Sequence, residues 1–128
     1  MGQPAATANH QIIGSDMHIL LIPPASVPTP VPHPFTGIIN SGTCSTVNIG
    51  GQPAATVGSG ASNQPPHIPQ GGPFQKPPSN QGQIQMGSTT VFIGGQPAAR
   101  MGDTALTCND PADLPVGTVQ AAGTVMIG

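Results

Sequence analysis

The sequence predicts an all-β fold: one small β-solenoid-like domain over residues 1–128, made of three strand-turn repeats with pseudo-threefold symmetry and long Pro/Gly loops converging at an apex. Two observations carry this. Gly (18) and Pro (17) fill more than a quarter of the 128 positions, a level that signals disorder when aperiodic and a turn-built repeat architecture when periodic. It is periodic here: Ile49-Gly50-Gly51-Gln52-Pro53-Ala54-Ala55 returns as Ile93-Gly94-Gly95-Gln96-Pro97-Ala98-Ala99, seven identities in a row at a spacing of 44.

At the N-terminus, Gly2-Gln3-Pro4-Ala5-Ala6-Thr7 repeats the turn of Gly51-Gln52-Pro53-Ala54-Ala55-Thr56 without its strand. The two full copies follow, near 51–56 and 95–100. Each is fed by an alternating strand, Thr46-Val47-Asn48-Ile49 and Thr90-Val91-Phe92-Ile93. The last residues, Thr124-Val125-Met126-Ile127-Gly128, give the strand without its turn. First turn and last strand therefore complete each other, and three units are expected to close on one axis. An open solenoid would instead begin and end in odd capping units.

Between these units lie variable segments, 9–42 and 58–87, expected to be long loops. Stretches such as Pro28-Thr29-Pro30-Val31-Pro32 favour an extended polyproline backbone over helix, and the composition of 70–83 suits disorder.

Charge excludes several functions. Two basic and four acidic residues give a net charge of −2. Nucleic-acid binding needs a row of phosphate contacts, and anionic membranes need a polybasic patch. Neither can be built here. The one apolar run near the N-terminus, 19–24, is too short for a membrane span or a signal-peptide core and lacks a preceding basic region. Synthesis and folding in the cytosol are expected.

With three Phe and no Trp or Tyr the core is thin, and thin cores usually carry a staple. His18 stands fifteen residues beyond Gln3, His67 fifteen beyond Gln52, and Cys108 twelve beyond Gln96, one ligand type after each turn. His33, between Pro32 and Pro34, is the natural fourth. Three His and one Cys form a tetrahedral set suited to one structural Zn²⁺. His10 aligns with Ser59 and Asp103 and is read as a surface residue. Cys44 aligns with Ser88 and is read as a small buried hydrophobe, a Cys44–Cys108 disulfide being the rival. No carboxylate pair or phosphate-cradling loop supports catalysis or a small-molecule substrate.

The element Ile93-Gly94-Gly95-Gln96-Pro97-Ala98-Ala99-Arg100-Met101-Gly102-Asp103 resembles the signature of the PAAR-repeat family, whose Pro-Ala-Ala-Arg is here Pro97 to Arg100. The copies at Pro4 and Pro53 replace Arg with Thr7 and Thr56. Ser15-Asp16-Met17-His18 and Pro32-His33-Pro34 also resemble the family.

The resemblance implies a small conical β domain that caps a trimeric VgrG-like spike, one cap per trimer, and ends in a point held by zinc through His18, His33, His67 and Cys108. It implies a non-enzymatic part of a contractile injection machine, whether a type VI secretion system, an extracellular injection particle or a phage tail, made in the bacterial cytoplasm and driven mechanically into a target membrane. Low charge suits a part pushed into apolar surroundings. No fused effector domain is expected beyond Gly128.

The partner face is expected at the repeated turns, through Pro4, Ala5, Ala6, Pro53, Ala54, Ala55, Pro97, Ala98, Ala99 and Arg100. Two other classes are a metal-stapled β-repeat surface adhesin and a small zinc hydrolase. The hydrolase would need a carboxylate base, for which Asp16 beside His18 is the candidate.

Overall fold

All strands pair antiparallel with their neighbours. The computed structural model describes residues 2–69 and 71–128, and among these residues there is no helix. In chain order the strands are β1 (Gln3–Pro4), β2 (Gln11–Ile22), β3 (Val27–Ser41), β4 (Cys44–Ile49), β5 (Gln52–Ala54) and β6 (Gly60–Asn63). They continue as β7 (Gln81–Ile84), β8 (Phe92–Ile93), β9 (Gln96–Pro97), β10 (Thr104–Thr107), β11 (Leu114–Gln120) and β12 (Met126–Ile127).

The repeated sequence forms hairpins, β4 with β5 and β8 with β9. Their turns are the Gly pairs, with φ of 60° and 83° at Gly50 and Gly51 and of 59° and 84° at Gly94 and Gly95. Two successive left-handed residues make a primed turn whose twist matches the flanking strands, and glycine takes that backbone without steric cost. β1 pairs with β12, Gln3 opposite Ile127, so the N-terminal turn and the C-terminal strand make the third such pair.

The three Pro-Ala-Ala segments meet in a closed cycle of backbone hydrogen bonds. Ala6 N–H donates to Ala99 O, Ala99 N–H to Ala55 O, and Ala55 N–H to Ala6 O, each at 3.0 Å. A second cycle joins Ala8 to Pro53, Val57 to Pro97 and Met101 to Pro4, each N–H reaching its carbonyl at 2.9 Å. Backbones this close leave room for a methyl group and little more. Ala5, Ala6, Ala54, Ala55, Ala98 and Ala99 are accordingly all buried, 0–4% exposed.

Above this layer stands a closed six-stranded barrel in the order β10-β11-β2-β3-β6-β7. Ile12, Phe35, Ile39, Ala61, Ile84, Ala105 and Val119 fill it. Phe35 occupies space that a side chain at residue 37 would need, since a Cβ on Gly37 would come within 2.6 Å of its ring.

The β2–β3 hairpin continues beyond the barrel through unbroken pairing from Gln11↔Ile38 to Ile22↔Val27. This corrects the expectation of loops over 9–42. In β3 the inward positions His33, Phe35, Gly37 and Ile39 alternate with exposed or half-buried ones, as a half-buried strand requires. Polyproline and β backbones both lie in the broad β region of φ and ψ, so the prolines hid the strand instead of breaking it.

Both free edges of this hairpin are managed. On the β2 side, Met17 N–H donates to Asn109 Oδ1 (2.7 Å), Ile19 N–H to Asp110 Oδ2 (2.9 Å) and Leu21 N–H to Pro73 O (2.8 Å). The residues opposite these three are Pro32, Pro30 and Pro28. In an antiparallel pair such residues turn their backbone groups outward, so the β3 edge there presents prolines with no N–H to offer. Phe74, within the stretch whose composition suits disorder, bridges to Leu20 and packs its ring on His18 and His33. Gln70, in the same stretch, lies outside the described residues, as does Met1.

Candidate metal centre

Strand alternation that aims Ile12 into the barrel aims Asp16 and His18 inward two and three steps higher, where Asp16 lies opposite His33 on β3. Cys108 follows directly after β10, and His67 comes in from the loop after β6. Asp16, His18, His33 and Cys108 are 0–3% exposed, and the His67 side chain is 2% exposed.

The three imidazoles form a triangle, with ring centroids 4.9 Å apart for His18–His67, 5.5 Å for His33–His67 and 5.6 Å for His18–His33. Cys108 Sγ lies 3.6 Å from His18 Nε2 and 3.3 Å from Asp16 Oδ2. Ligand atoms of Asp16, His18, His67 and Cys108 all fall within 4.8 Å of one another. Three of the four residues singled out from the sequence belong to this group, with Asp16 as its carboxylate. The fourth, His33, stacks against the same rings.

The donor chemistry fits a metal ion. His33 Nδ1 lies 2.9 Å from the carbonyl of Val31, an acceptor, so Nδ1 carries the proton. Its Nε2 then keeps a lone pair, and among the described residues this buried atom has no hydrogen-bond partner. An orphaned acceptor on an imidazole held by its other nitrogen is the arrangement of a ligand. The 3.6 Å between Cys108 Sγ and His18 Nε2 matches two corners of a tetrahedron with bonds of about 2.3 and 2.1 Å. His67 Nε2 and Asp16 Oδ2, at 2.8 Å, are closer than two such corners and are hydrogen-bonded to each other.

Electrostatics favour a cation. Burial pushes the Cys108 thiol up to about 11, and the Asp16 charge adds to the rise. Burial first, and then the neighbouring His67, lowers the pKa of His18, against an opposing pull from Asp110 and Asp16. Asp110 Oδ2 lies 3.5 Å from His18 Nδ1, long for a hydrogen bond but close enough to orient the ring so that Nε2 faces the cluster. A divalent ion compensates both the Asp16 carboxylate and a Cys108 thiolate, which burial otherwise disfavours together.

Both oxygens of Asp16 are hydrogen-bonded. Oδ1 accepts from the Thr107 hydroxyl and, at 3.4 Å, from Asn109 Nδ2. The supporting residues Asn63, Asn80, Thr107 and Asn109 were not legible in the sequence, because nothing in their spacing separates them from other loop Asn and Thr. Asp16 could have been read from its position two residues before His18 on one strand face.

Both cysteines are free, and Cys44 is half-buried, so it is neither disulfide-bonded nor a core hydrophobe. His10 is half-buried, and its Nδ1 accepts the Thr7 N–H at 3.0 Å, the service that Ser59 Oγ gives Thr56 (3.0 Å) and Asp103 Oδ2 gives Arg100 (2.7 Å). Alignment of these three positions was informative, whereas placing His10 at the surface was not. The paired alanines expected at a partner face point inward. That face offers solvent Gln3, Gln52 and Gln96, the turns Gly50-Gly51 and Gly94-Gly95, and the outward strand residues Asn48, Phe92 and Met126.

A family model described as the PAAR motif matches residues 29–111 and again residues 74–128. No curated protein matches the chain. The family match runs over the second and third Pro-Ala-Ala turns and over His33, His67 and Cys108, the residues around which the alanine cycle and the buried cluster are built. The chain belongs to the PAAR-motif family.

Proposed function

We propose that this protein is the tip of a contractile injection machine: a conical, pseudo-threefold cap on the blunt end of a trimeric VgrG-like spike, one cap per trimer, held at its apex by one structural Zn²⁺. The observation that carries this reading is the closed cycle of hydrogen bonds through Ala6, Ala99 and Ala55. A single chain whose three similar segments bond head to tail in a ring matches a threefold partner, which a plain hairpin protein would not.

The face below that ring supports the reading. Phe92 is 59% exposed and Met126 56%, at positions equivalent to Asn48 on the third strand. Large apolar side chains in solvent mark a surface that becomes covered. Short strands with open backbone edges suit docking by strand addition, which needs main-chain groups and few charges. Zinc follows from the mixed nitrogen and sulfur donors. The role is mechanical and non-enzymatic. The chain is made in the cytoplasm, carried at the particle tip, and meets the target membrane on contraction, whichever class of injection machine it serves.

The test is capture of the chain by an immobilised trimeric spike. Phe92→Asp with Met126→Asp should abolish capture while leaving the far-ultraviolet circular dichroism and the metal content unchanged. Undiminished capture of that folded double variant would contradict the reading.

A further inference from the structure

Asn80 is bonded to the loop that brings His67 into the buried cluster. It directly precedes β7 and holds φ at 57°, in the left-handed region that asparagine adopts more readily than other residues with side chains. Its Oδ1 accepts the backbone N–H of His67 at 2.8 Å and Asn63 Nδ2 at 3.3 Å. Its own carbonyl accepts the Asn63 N–H at 2.8 Å. Asn63 is buried, and its Oδ1 accepts the Thr36 N–H at 2.8 Å. That bond fixes the amide, so Asn63 Nδ2 faces His67 Nδ1 at 3.2 Å.

We propose that Asn80 is a positioning residue of the metal centre, holding the His67 loop by accepting the His67 backbone N–H at Oδ1. The proposal rests on the reading of the cluster as a metal site. His67 has no strand to fix it, unlike His18 and His33. Without the Asn80 acceptor its backbone N–H loses its partner. Outer partners of metal ligands are commonly worth about 10–100-fold in affinity.

Substitution isolates this contact. Asn80→Gly keeps the left-handed backbone but removes Oδ1. Asn80→Asp keeps an acceptor at that position. The experiment is titration of the metal-free full chain with Co²⁺ against a competing chelator, followed by the visible ligand-field bands and the sulfur-to-cobalt charge-transfer band. Asn80→Gly should weaken Co²⁺ binding about 10–100-fold with the charge-transfer band retained, and Asn80→Asp should restore affinity to near the wild-type value. If Asn80→Gly binds Co²⁺ like the wild type, or if Asn80→Asp loses as much as Asn80→Gly, the assignment is overturned. A merely structural role would lower the melting temperature of the metal-free chain without this pattern of loss and rescue. Co²⁺ binding by the wild type with unchanged variants overturns this proposal alone, whereas a wild type that binds no Co²⁺ overturns the metal reading as well.

Discussion

His67 Nε2 and Asp16 Oδ2, from residues 51 apart in sequence, stand 2.8 Å from each other in the buried interior above the barrel. Asp16 also accepts from the Thr107 hydroxyl and lies 3.3 Å from the Cys108 sulfur, so one buried carboxylate gathers side chains from two other segments. A cluster so rich in donors and acceptors is costly to bury without an ion, and the low apolar content leaves little else to hold the upper hairpin.

Elemental analysis of the purified chain should give one zinc per molecule. Cys108→Ser or His67→Ala should lose it, since each removes a ligand from the group gathered around Asp16. Cys44→Ser and His10→Ala should keep it, because neither residue belongs to that group. A requirement for Cys44 would refute the assignment.

Stability of the metal-free chain should peak near neutral pH. His18 is held below its ordinary 6.5 in the folded state, so as pH falls through 6.5 the unfolded chain gains a proton that the folded chain refuses, and stability drops. Cys108 is held up to about 11 against an ordinary 9.0, so above pH 9.0 the unfolded thiol ionises first and stability drops again. Urea unfolding across pH 4 to 10.5 in the presence of chelator checks both limbs. With metal bound the alkaline limb should vanish, because the thiolate is then the ligand.

Enlarging the alanine ring should unfold the lower layer. Ala55 is 1% exposed and bonds through its backbone to both Ala6 and Ala99. Ala55→Leu should destabilise by about 1–3 kcal/mol or more from overpacking, read by thermal melting of the zinc-loaded chain. A loss within about 0.5 kcal/mol, the range of surface substitutions, would show that the ring has room.

Restoring donors to the guarded edge should make the chain sticky. Pro30 and Pro32 stand opposite Ile19 and Met17, whose N–H groups point away from β3. Pro30→Thr with Pro32→Thr returns two outward N–H groups to an exposed edge, and such edges recruit other strands. Light scattering should show concentration-dependent association of this variant and none of the wild type.

How much the sequence disclosed follows from where the information resides. The turns were legible because Gly50-Gly51 and Gly94-Gly95 need a backbone that glycine supplies, and need is local. His18, His67 and Cys108 were legible through their offset from repeated turns. The barrel was not: it depends on pairings such as Ala105↔Ile84 and Thr118↔Ile13, and nothing local in those residues names the partner. The β2–β3 hairpin was hidden because its inward positions include Asp16, His18, His33 and Gly37, which break the apolar alternation that marks a strand. Asp16, His18 and His33 are also the residues that the hairpin contributes to the candidate metal centre.

The central claim is tested most directly by native mass spectrometry of the chain mixed with a trimeric spike protein. One chain and one zinc ion per spike trimer is the result this account predicts. Three chains per trimer, or a zinc-loaded, folded chain that forms no complex with the spike, would contradict it.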